Sequence, residues 1–346
     1  MSDIVKGVLS GGWGLVVGWI LPAAVNVLLA VWLLPGVAGL PRLGDIADDA
    51  TRTGLVALAV AILGGLLLAA VQTPLFRILE GYLGWPRPLV AAGRRRMLRR
   101  KHLLADRLDA ARLADAEADG TLDEAGAAAL AAMRAHPLVG RHVAADARRG
   151  SVQRGLMHER LRRFPVDDGQ VVATRLGNAI RRLEEYGYDR YRLDSQVFWY
   201  ELTAVVPERT AKQVDQARTT VDFFVSLLFG HLIVAAVAVG AVLSGTVTGS
   251  VQLWISVAAL LLLSVGWYRA AVVTTDDWAA AVRAMVNVGR VPLAEALGLR
   301  LPEGLSEERT MWTLSSQLTR LAYDERAEQL DKYRNAEAGS RISVES

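Results

Sequence analysis

Asn26 and His231 are the residues whose chemistry is least expected from their surroundings, because each lies within a long run of apolar side chains. Polar groups inside a membrane are costly to place there, and they are candidates for function. The two side chains could belong to a proton or ion path, or form a hydrogen bond between two helices. A lone histidine without an intramembrane carboxylate is a poor relay, so the sequence favours the hydrogen bond.

Asp222 and Arg269 lie where apolar runs meet charged sequence, the first opening one run and the second closing another. Both are expected at the same membrane interface, where opposite charges can pair. We therefore predict an interfacial ion pair between Asp222 and Arg269, which would explain both residues without a role in transport.

A search for catalytic and metal-binding patterns is negative. His158–Glu159 begins like a zinc-protease helix, but Arg162 stands where the second histidine must lie. The sequence has no cysteine, no phosphate-binding glycine loop and no nucleophile-elbow serine. We predict no catalytic residues, no metal and no cofactor, and we do not expect an enzyme.

Four apolar runs are long enough to cross a bilayer, because about 20 helical residues span its hydrocarbon core. They cover Gly14–Leu34, Gly54–Phe76, Val221–Leu243 and Val251–Tyr268. We predict an all-α fold: a four-helix transmembrane bundle, a helical cytoplasmic domain between spans two and three, and a helical cytoplasmic tail. The corresponding segments are 1–78 (spans one and two), 79–218 (cytoplasmic domain), 219–270 (spans three and four) and 271–346 (tail, disordered at its end).

Six cations follow the second run closely and set its orientation. They are Arg94, Arg95, Arg96, Arg99, Arg100 and Lys101. Such clusters stay in the cytoplasm, so an even number of spans places both termini there, in a multi-pass plasma-membrane protein. We expect the six to contact anionic lipid headgroups. The alternative is a nucleic-acid patch; proximity to the membrane and mixed charge after Asp106 favour lipid and no nucleic acid.

Small residues at a spacing of four predict where helices pack closely in lipid. The stripes are Ala57, Ala61, Gly65 and Ala69 in the second run, Ala236, Gly240 and Ser244 in the third, and Gly14 and Gly18 in the first. The pattern does not distinguish contacts within one chain from contacts between copies, so a homo-oligomer is possible.

Several residues predict where the extramembrane helices begin and end. Thr121 is followed by Glu124 in the pattern of a capping box. Pro207 suits the first turn of a helix that continues without a break into the third span. After the fourth span, Thr274 with Asp277 predicts a new helix start, and Pro292 predicts a break.

Aromatic residues gather between residues 174 and 207 and are otherwise sparse outside the apolar runs. Rings at this density are most simply explained as the core of a small helical domain. They could also form a recognition surface. We predict that a surface for a protein partner would include Tyr188, Tyr191 and Arg192.

One segment resembles a known group of proteins. The run Arg175–Leu176–Gly177–Asn178, followed by Tyr191–Arg192–Leu193–Asp194, Trp199 and Pro207, is similar to a pattern in uncharacterised actinobacterial multi-pass membrane proteins. The resemblance covers the central segment and the stretch from Leu301–Pro302 to Trp312. It implies no activity that can be named.

The proportions of the chain favour an anchor over a transporter, since only about a quarter of it lies in the four runs. We therefore expect a membrane-anchored interaction or signalling protein whose cytoplasmic helical domain recognises a protein partner. The alternative is an oligomeric channel or membrane-perturbing effector gated by that domain, with Asn26 and His231 lining the pore.

Overall fold

The computed structural model describes residues 12–34, 50–246, 249–321, 323 and 325–334, with the backbone alone for residues 50–53. The predicted cytoplasmic amino terminus, the link 35–49 between the first two spans and the polar end from Asn335 lie outside these residues. The described part of the chain is helical, and its one β-contact is an isolated bridge between Leu299 and Arg334.

Contacts divide the chain into two compact units. The central unit is Arg77–Glu185, and the flanking unit comprises the described residues up to Phe76 and from Tyr186 onward. The flanking unit contains α1 (Gly12–Leu33), α2 (Ala50–Ala70), α9 (Tyr186–Tyr191), α10 (Trp199–Val205), α11 (Glu208–Leu243), α12 (Val251–Ala296), α13 (Leu305–Arg320) and a 3₁₀ helix (Glu325–Tyr333). The central unit contains α4 (Arg87–Ala118), α5 (Glu124–Ala135), α6 (Gly140–Ala147), α7 (Ser151–Arg162), a 3₁₀ turn (Asp168–Gln170) and α8 (Arg175–Glu184), while α3 (Gln72–Glu80) crosses the boundary.

Three helices, α1, α11 and α12, are long and apolar enough to cross a membrane. A fourth crossing is possible if α2 and α3 are taken together, although they are bent by 60°. The bend follows from Pro74, which has no N–H to donate to the carbonyl of Ala70 and whose ring clashes with that carbonyl. Leu55, Leu63 and Leu67 of α2 are each more than 60% exposed, as expected of side chains that face lipid.

The helices α11 and α12 are longer than a bilayer requires. They contain 36 and 46 residues, or roughly 54 and 69 Å at 1.5 Å per residue, against about 30 Å for the hydrocarbon core. The predicted continuation from Pro207 into the third span is confirmed, because α11 runs without a break from Glu208 to Leu243. Pro207 is the N-cap residue of this helix.

Two predicted interruptions of α12 are wrong. The hydroxyl of Thr274 donates to the carbonyls of Ala270 and Ala271 inside the helix, so it does not begin a new one. Pro292 also lies inside α12. It removes one hydrogen bond in the last turns, where fully buried Leu293 and Ala294 hold the helix by packing.

Small residues set the packing between the apolar helices, in part as predicted. A Cβ at Gly65 of α2 would lie 2.7 Å from Cα of Ile20 in α1, so these backbones touch. Gly18 of α1 similarly lies against Asp222 of α11. Gly240 has no neighbour within 4 Å of a Cβ built on it, so the predicted stripe of the third span makes no contact there among the described residues.

The central unit is organised along α4. Met97 and Leu104 pack on Phe164 and Val171 near one end, while Ala110 packs on the apolar faces of α5 and α6. The predicted cap at Thr121 is wrong. The side chain of Asp123 accepts from Gly126 N at 2.9 Å and caps α5, because it lies directly before the first helical residue.

The aromatic segment in the flanking unit forms a core, as expected for some of its rings. Phe198 is 2% exposed and packs edge-on against fully buried Trp312 of α13, with ring centroids 6.1 Å apart. Gly289 lets α10 approach α12, since a Cβ there would lie 2.9 Å from Cδ2 of Leu202. The far half of α12 is therefore built into this aromatic core.

Candidate functional site: a polar seam between apolar helices

Asn26 and His231 lie in contact between α1 and α11. His231 Nδ1 is 2.8 Å from Asn26 Oδ1, and both side chains are buried. Asn26 Nδ2 donates to the carbonyl of Pro22 at 2.8 Å. The close approach requires glycine at position 230, where a Cβ would lie 2.1 Å from Asn26 Nδ2.

The bond from Asn26 to Pro22 fixes which proton His231 carries. Because the Asn26 amide nitrogen is turned toward the Pro22 carbonyl, its oxygen faces the imidazole and must accept a hydrogen. His231 Nδ1 is therefore the protonated nitrogen, and in the neutral ring Nε2 is left as an acceptor. The ring of Trp267 from α12 lies edge-on to His231, with centroids 6.1 Å apart.

Two further polar side chains lie on α11, closer to its amino terminus than His231. Asp222 and Ser226 are both buried. Asp222 Oδ1, Ser226 Oγ and Trp267 Nε1 have no hydrogen-bond partner among the described residues. Since buried polar atoms are nearly always satisfied, these three, which lie close to the Asn26–His231 pair along the apolar helices, need an explanation. We call Asn26, Asp222, Ser226, His231 and Trp267 the polar seam.

The helices α1 and α11 determine where the polar side chains of the seam lie. Asp222 and Ser226 lie one turn apart on one side of α11, about 6 Å along the axis, whereas His231 lies about 13 Å from Asp222 along the axis and roughly 180° around it, at about 100° per residue. The opposing part of α1 is a π-helical turn, Val16–Ile20, a widened turn that is rare and often marks a functional site. Among the described residues no hydrogen bond joins His231 to Asp222 or Ser226, so the seam consists of two separate buried polar groups on α11.

The predicted ion pair between Asp222 and Arg269 does not form among the described residues. Asp222 faces Gly18 of α1, whereas the side chain of Arg269 is exposed. The cation that acts on Asp222 is Arg218, one turn earlier on the same helix. Sequence position placed both residues near one interface but could not show which side of each helix they occupy.

The six predicted lipid-binding cations of α4 separate into two groups. Arg94 donates to the carbonyls of Val171 and Asp168, each at 3.0 Å, and Lys101 lies 2.6 Å from the Asp168 carboxylate. These two hold the loop before α8 and are engaged within the protein. Arg95, Arg96 and Arg99 are exposed and Arg100 is half-buried, so lipid contact stays a prediction for these four.

The predicted partner surface is also divided. The Arg192 guanidinium stacks over the Tyr188 ring at 4.6 Å, and Tyr188 is 46% exposed. Tyr191 instead packs inward: its ring lies under the guanidinium of Arg290 at 4.8 Å, and its hydroxyl is 3.2 Å from Asn287 Oδ1. Exposed Tyr188 and half-buried Arg192 form a pair at the surface, whereas Tyr191 joins α9 to α12.

A buried ionic group near this surface was not anticipated from the sequence. Glu308 of α13 is 4% exposed and accepts two bonds from Arg290, each 2.7 Å, and one from the indole of Trp312 at 3.2 Å. Arg309 donates to the carbonyls of Asp189 and Arg190. Glutamates in a first helical turn usually serve the helix end, so the sequence offered no signal for this contact.

Comparisons with known proteins identify no relative: no family model, curated protein or solved structure matches the chain. The resemblance of the central segment to actinobacterial membrane proteins accordingly stays a prediction.

Proposed function

We propose that the chain is a membrane-anchored interaction or signalling protein whose cytoplasmic helical part recognises a protein partner. In this proposal α1, the α2–α3 pair, α11 and α12 form a four-helix plasma-membrane bundle with both termini in the cytoplasm. The observation that carries it is the length of α11 and α12, which contain 36 and 46 residues without a break. Each contains residues for one crossing and a long extension beyond it.

The extension of α12 supports a role in transmitting a binding event. Its far half packs against α9, α10 and α13, and Gly289, Met285 and Val286 are inside that aromatic core. The ionic contacts of Arg290 and Glu308 fix α13 to the same half. A partner bound to the surface pair of Tyr188 and Arg192 would therefore contact a group of helices joined to an apolar helix by continuous backbone.

The absence of cysteine from the sequence makes the topology directly testable. In the proposed orientation, a cysteine in place of exposed Val251 reacts with a membrane-impermeant maleimide in intact cells. A cysteine in place of Arg99 reacts only after the membrane is permeabilised. Equal labelling of both sites in intact cells would overturn the proposed topology.

Partner recognition is tested by stoichiometric co-purification with the full-length chain from its native membrane. We expect one partner to be retained by the wild type and lost in the double variant Tyr188→Ala with Arg192→Ala. Tyr200→Ala is the matched control, since Tyr200 is 84% exposed in the same unit. Loss of the partner in the control as well would show that the proposed surface is not its binding site.

The second candidate, a channel or membrane-perturbing effector, is supported by the polar seam. Buried Asp222 and His231 are ionisable groups in otherwise apolar surroundings. If the seam conducts protons or cations, proteoliposomes containing the purified chain dissipate an ion gradient, and His231→Ala abolishes the flux. Gly240→Ala, on the same helix and without near neighbours, is the control. Flux with this dependence would overturn the anchor proposal.

A further inference from the structure

Arg96 and Arg100 lie on a different side of α4 from Arg94 and Lys101. With 100° between successive residues, Met97 and Leu104 form the buried stripe, Arg94 and Lys101 lie on one flank, and Arg96 and Arg100 lie on the other. Gly93 lies between the stripe and this second flank. The flank of Arg96 and Arg100 therefore points away from the loop that Arg94 and Lys101 hold.

Two close contacts bring other arginines to this flank. A Cβ at Gly93 would lie 2.9 Å from the carbonyl oxygen of Ala173, so α4 touches the chain two residues before Arg175. At the end of α7, Phe164 packs on Met97, which places Arg160 and Arg163 next to α4. Backbone packing in the central unit thus assembles arginines from α4, the end of α7 and the start of α8.

The result is a group of five arginines, which we call the arginine cluster: Arg96, Arg100, Arg160, Arg163 and Arg175. Burial of Arg100 and the positive charges of the other four lower the pKa of its guanidinium. Among the described residues, Arg96, Arg100, Arg160 and Arg175 form no ion pair. Like charges held close together destabilise a fold, so an anionic ligand bound among these four arginines would stabilise it.

We propose that the arginine cluster binds the phosphate group of anionic phospholipid headgroups. One guanidinium group can donate two parallel hydrogen bonds to two oxygens of a phosphate, a geometry that the ammonium group of lysine cannot reproduce. The neighbouring surface suits lipid: Leu89 lies on the same flank of α4 and is 53% exposed, and Leu83 and Trp85 before the helix are 46% and 43% exposed. An exposed apolar group beside clustered cations is the pattern of a membrane-surface contact.

The surrounding helices argue against nucleic acid as the ligand. Binding of single strands relies on aromatic rings on which bases stack. Neither α7 nor α8 contains phenylalanine, tyrosine or tryptophan, and the ring of Phe164 is 7% exposed in the core. The helices that carry Arg160 and Arg175 therefore offer charge without aromatic rings, and exposed Trp85 lies outside them, in the segment before α4.

The inference rests on the proposed function only in placing the central unit on the cytoplasmic side. Its test uses the full chain purified in neutral detergent and needs neither a partner nor an orientation. A failed co-purification would therefore leave it intact, and a failed lipid measurement would leave partner recognition intact.

The experiment measures the binding of fluorescent phosphatidylglycerol to the purified full chain by anisotropy, with phosphatidylcholine as the neutral lipid. Each cation near a surface lipid contributes about fivefold in affinity. We expect the double variant Arg100→Gln with Arg175→Gln to bind phosphatidylglycerol roughly 25-fold more weakly. The matched control, Arg95→Gln with Arg99→Gln, removes the same charge from exposed positions on the opposite face of α4 and should lose threefold at most.

Three results would overturn the proposal. The first is an equal loss in the two double variants, which would indicate a diffuse surface charge. The second is competition by inorganic phosphate at the same concentration as the lipid, which would indicate a site for the free anion. The third is tighter binding of single-stranded polyuridine than of phosphatidylglycerol. A folded state for each variant is checked by helical circular dichroism and by its elution volume.

Discussion

The polar seam contains polar atoms without hydrogen-bond partners, and the arginine cluster contains like charges close together. The first group is buried between apolar helices, whereas the second lies at the protein surface. In the seam, polar atoms of Asp222, Ser226 and Trp267 are enclosed by apolar helices and have no hydrogen-bond partner among the described residues. In the cluster, the cations lie at a surface, and the unfavourable contact is with one another. The main energetic cost in the seam is the loss of hydration of buried polar atoms. The main cost in the cluster is the repulsion between positive charges.

The difference determines what each region can be used for. A buried carboxylate and imidazole respond to a proton or a small ion, because little else can reach them. Surface arginines respond to a larger anion, since they can be approached by a whole headgroup. Substitutions in the two regions should therefore differ in the size and in the sign of their effect on stability.

The largest effect is expected at a paired arginine in the central unit, which serves as the reference for the unpaired ones. Arg107 donates to both oxygens of Asp146, at 2.7 and 2.8 Å, and Asp146 is 1% exposed. Arg107→Gln leaves a buried carboxylate short of its main partner, so we expect a loss of about 3 kcal/mol in the free energy of unfolding. Chemical denaturation of the purified chain measures it, and a loss similar to that of Arg95→Gln would contradict it.

The seam is tested by filling the space that Gly230 leaves. A Cβ there would lie 2.1 Å from Asn26 Nδ2, so Gly230→Ala forces α1 and α11 apart or breaks the bond to His231. We expect a loss of about 2 kcal/mol, seen as a lower Tm in detergent. Gly240→Ala on the same helix meets nothing within 4 Å and should leave Tm unchanged.

A second variant distinguishes the steric effect from a general effect on α11. Adding Asn26→Ala to Gly230→Ala removes the atoms that the new methyl group meets, so part of the lost Tm should return. If the double variant were less stable than either single variant, the contact with Asn26 would not be the cause.

The sequence predicted the apolar helices because their signal is local: length and composition suffice to find them. It also favoured a hydrogen bond between Asn26 and His231, and in the structure His231 Nδ1 lies 2.8 Å from Asn26 Oδ1. The bend at Pro74 in the second run was not predicted, although its cause is local, whereas the break predicted at Pro292 does not occur. Packing around Leu293 decided that case, and packing is not visible in a run of residues.

The arginine cluster was beyond prediction for a related reason. Arg94 to Lys101 were recognised as one basic segment, yet the helix distributes them over different faces, and Arg160, Arg163 and Arg175 join from distant positions in the chain. The contact that brings Arg175 close depends on Gly93, a single residue that indicates nothing by itself. The buried position of Glu308 could not be predicted either, because its partner Arg290 lies on another helix.

The smallest effect is expected at Arg100, and its sign distinguishes the cluster from the Arg107 pair. Arg100→Gln removes one of five like charges without breaking an ion pair, so the chain without lipid should gain about 0.5 kcal/mol in stability. The gain should disappear in 1 M salt, where the screening length falls to about 3 Å. Arg99→Gln, on the exposed face of the same helix, should give no gain at either salt concentration. A loss of stability in Arg100→Gln would mean that this arginine is held by an attractive contact and that repulsion does not dominate the cluster.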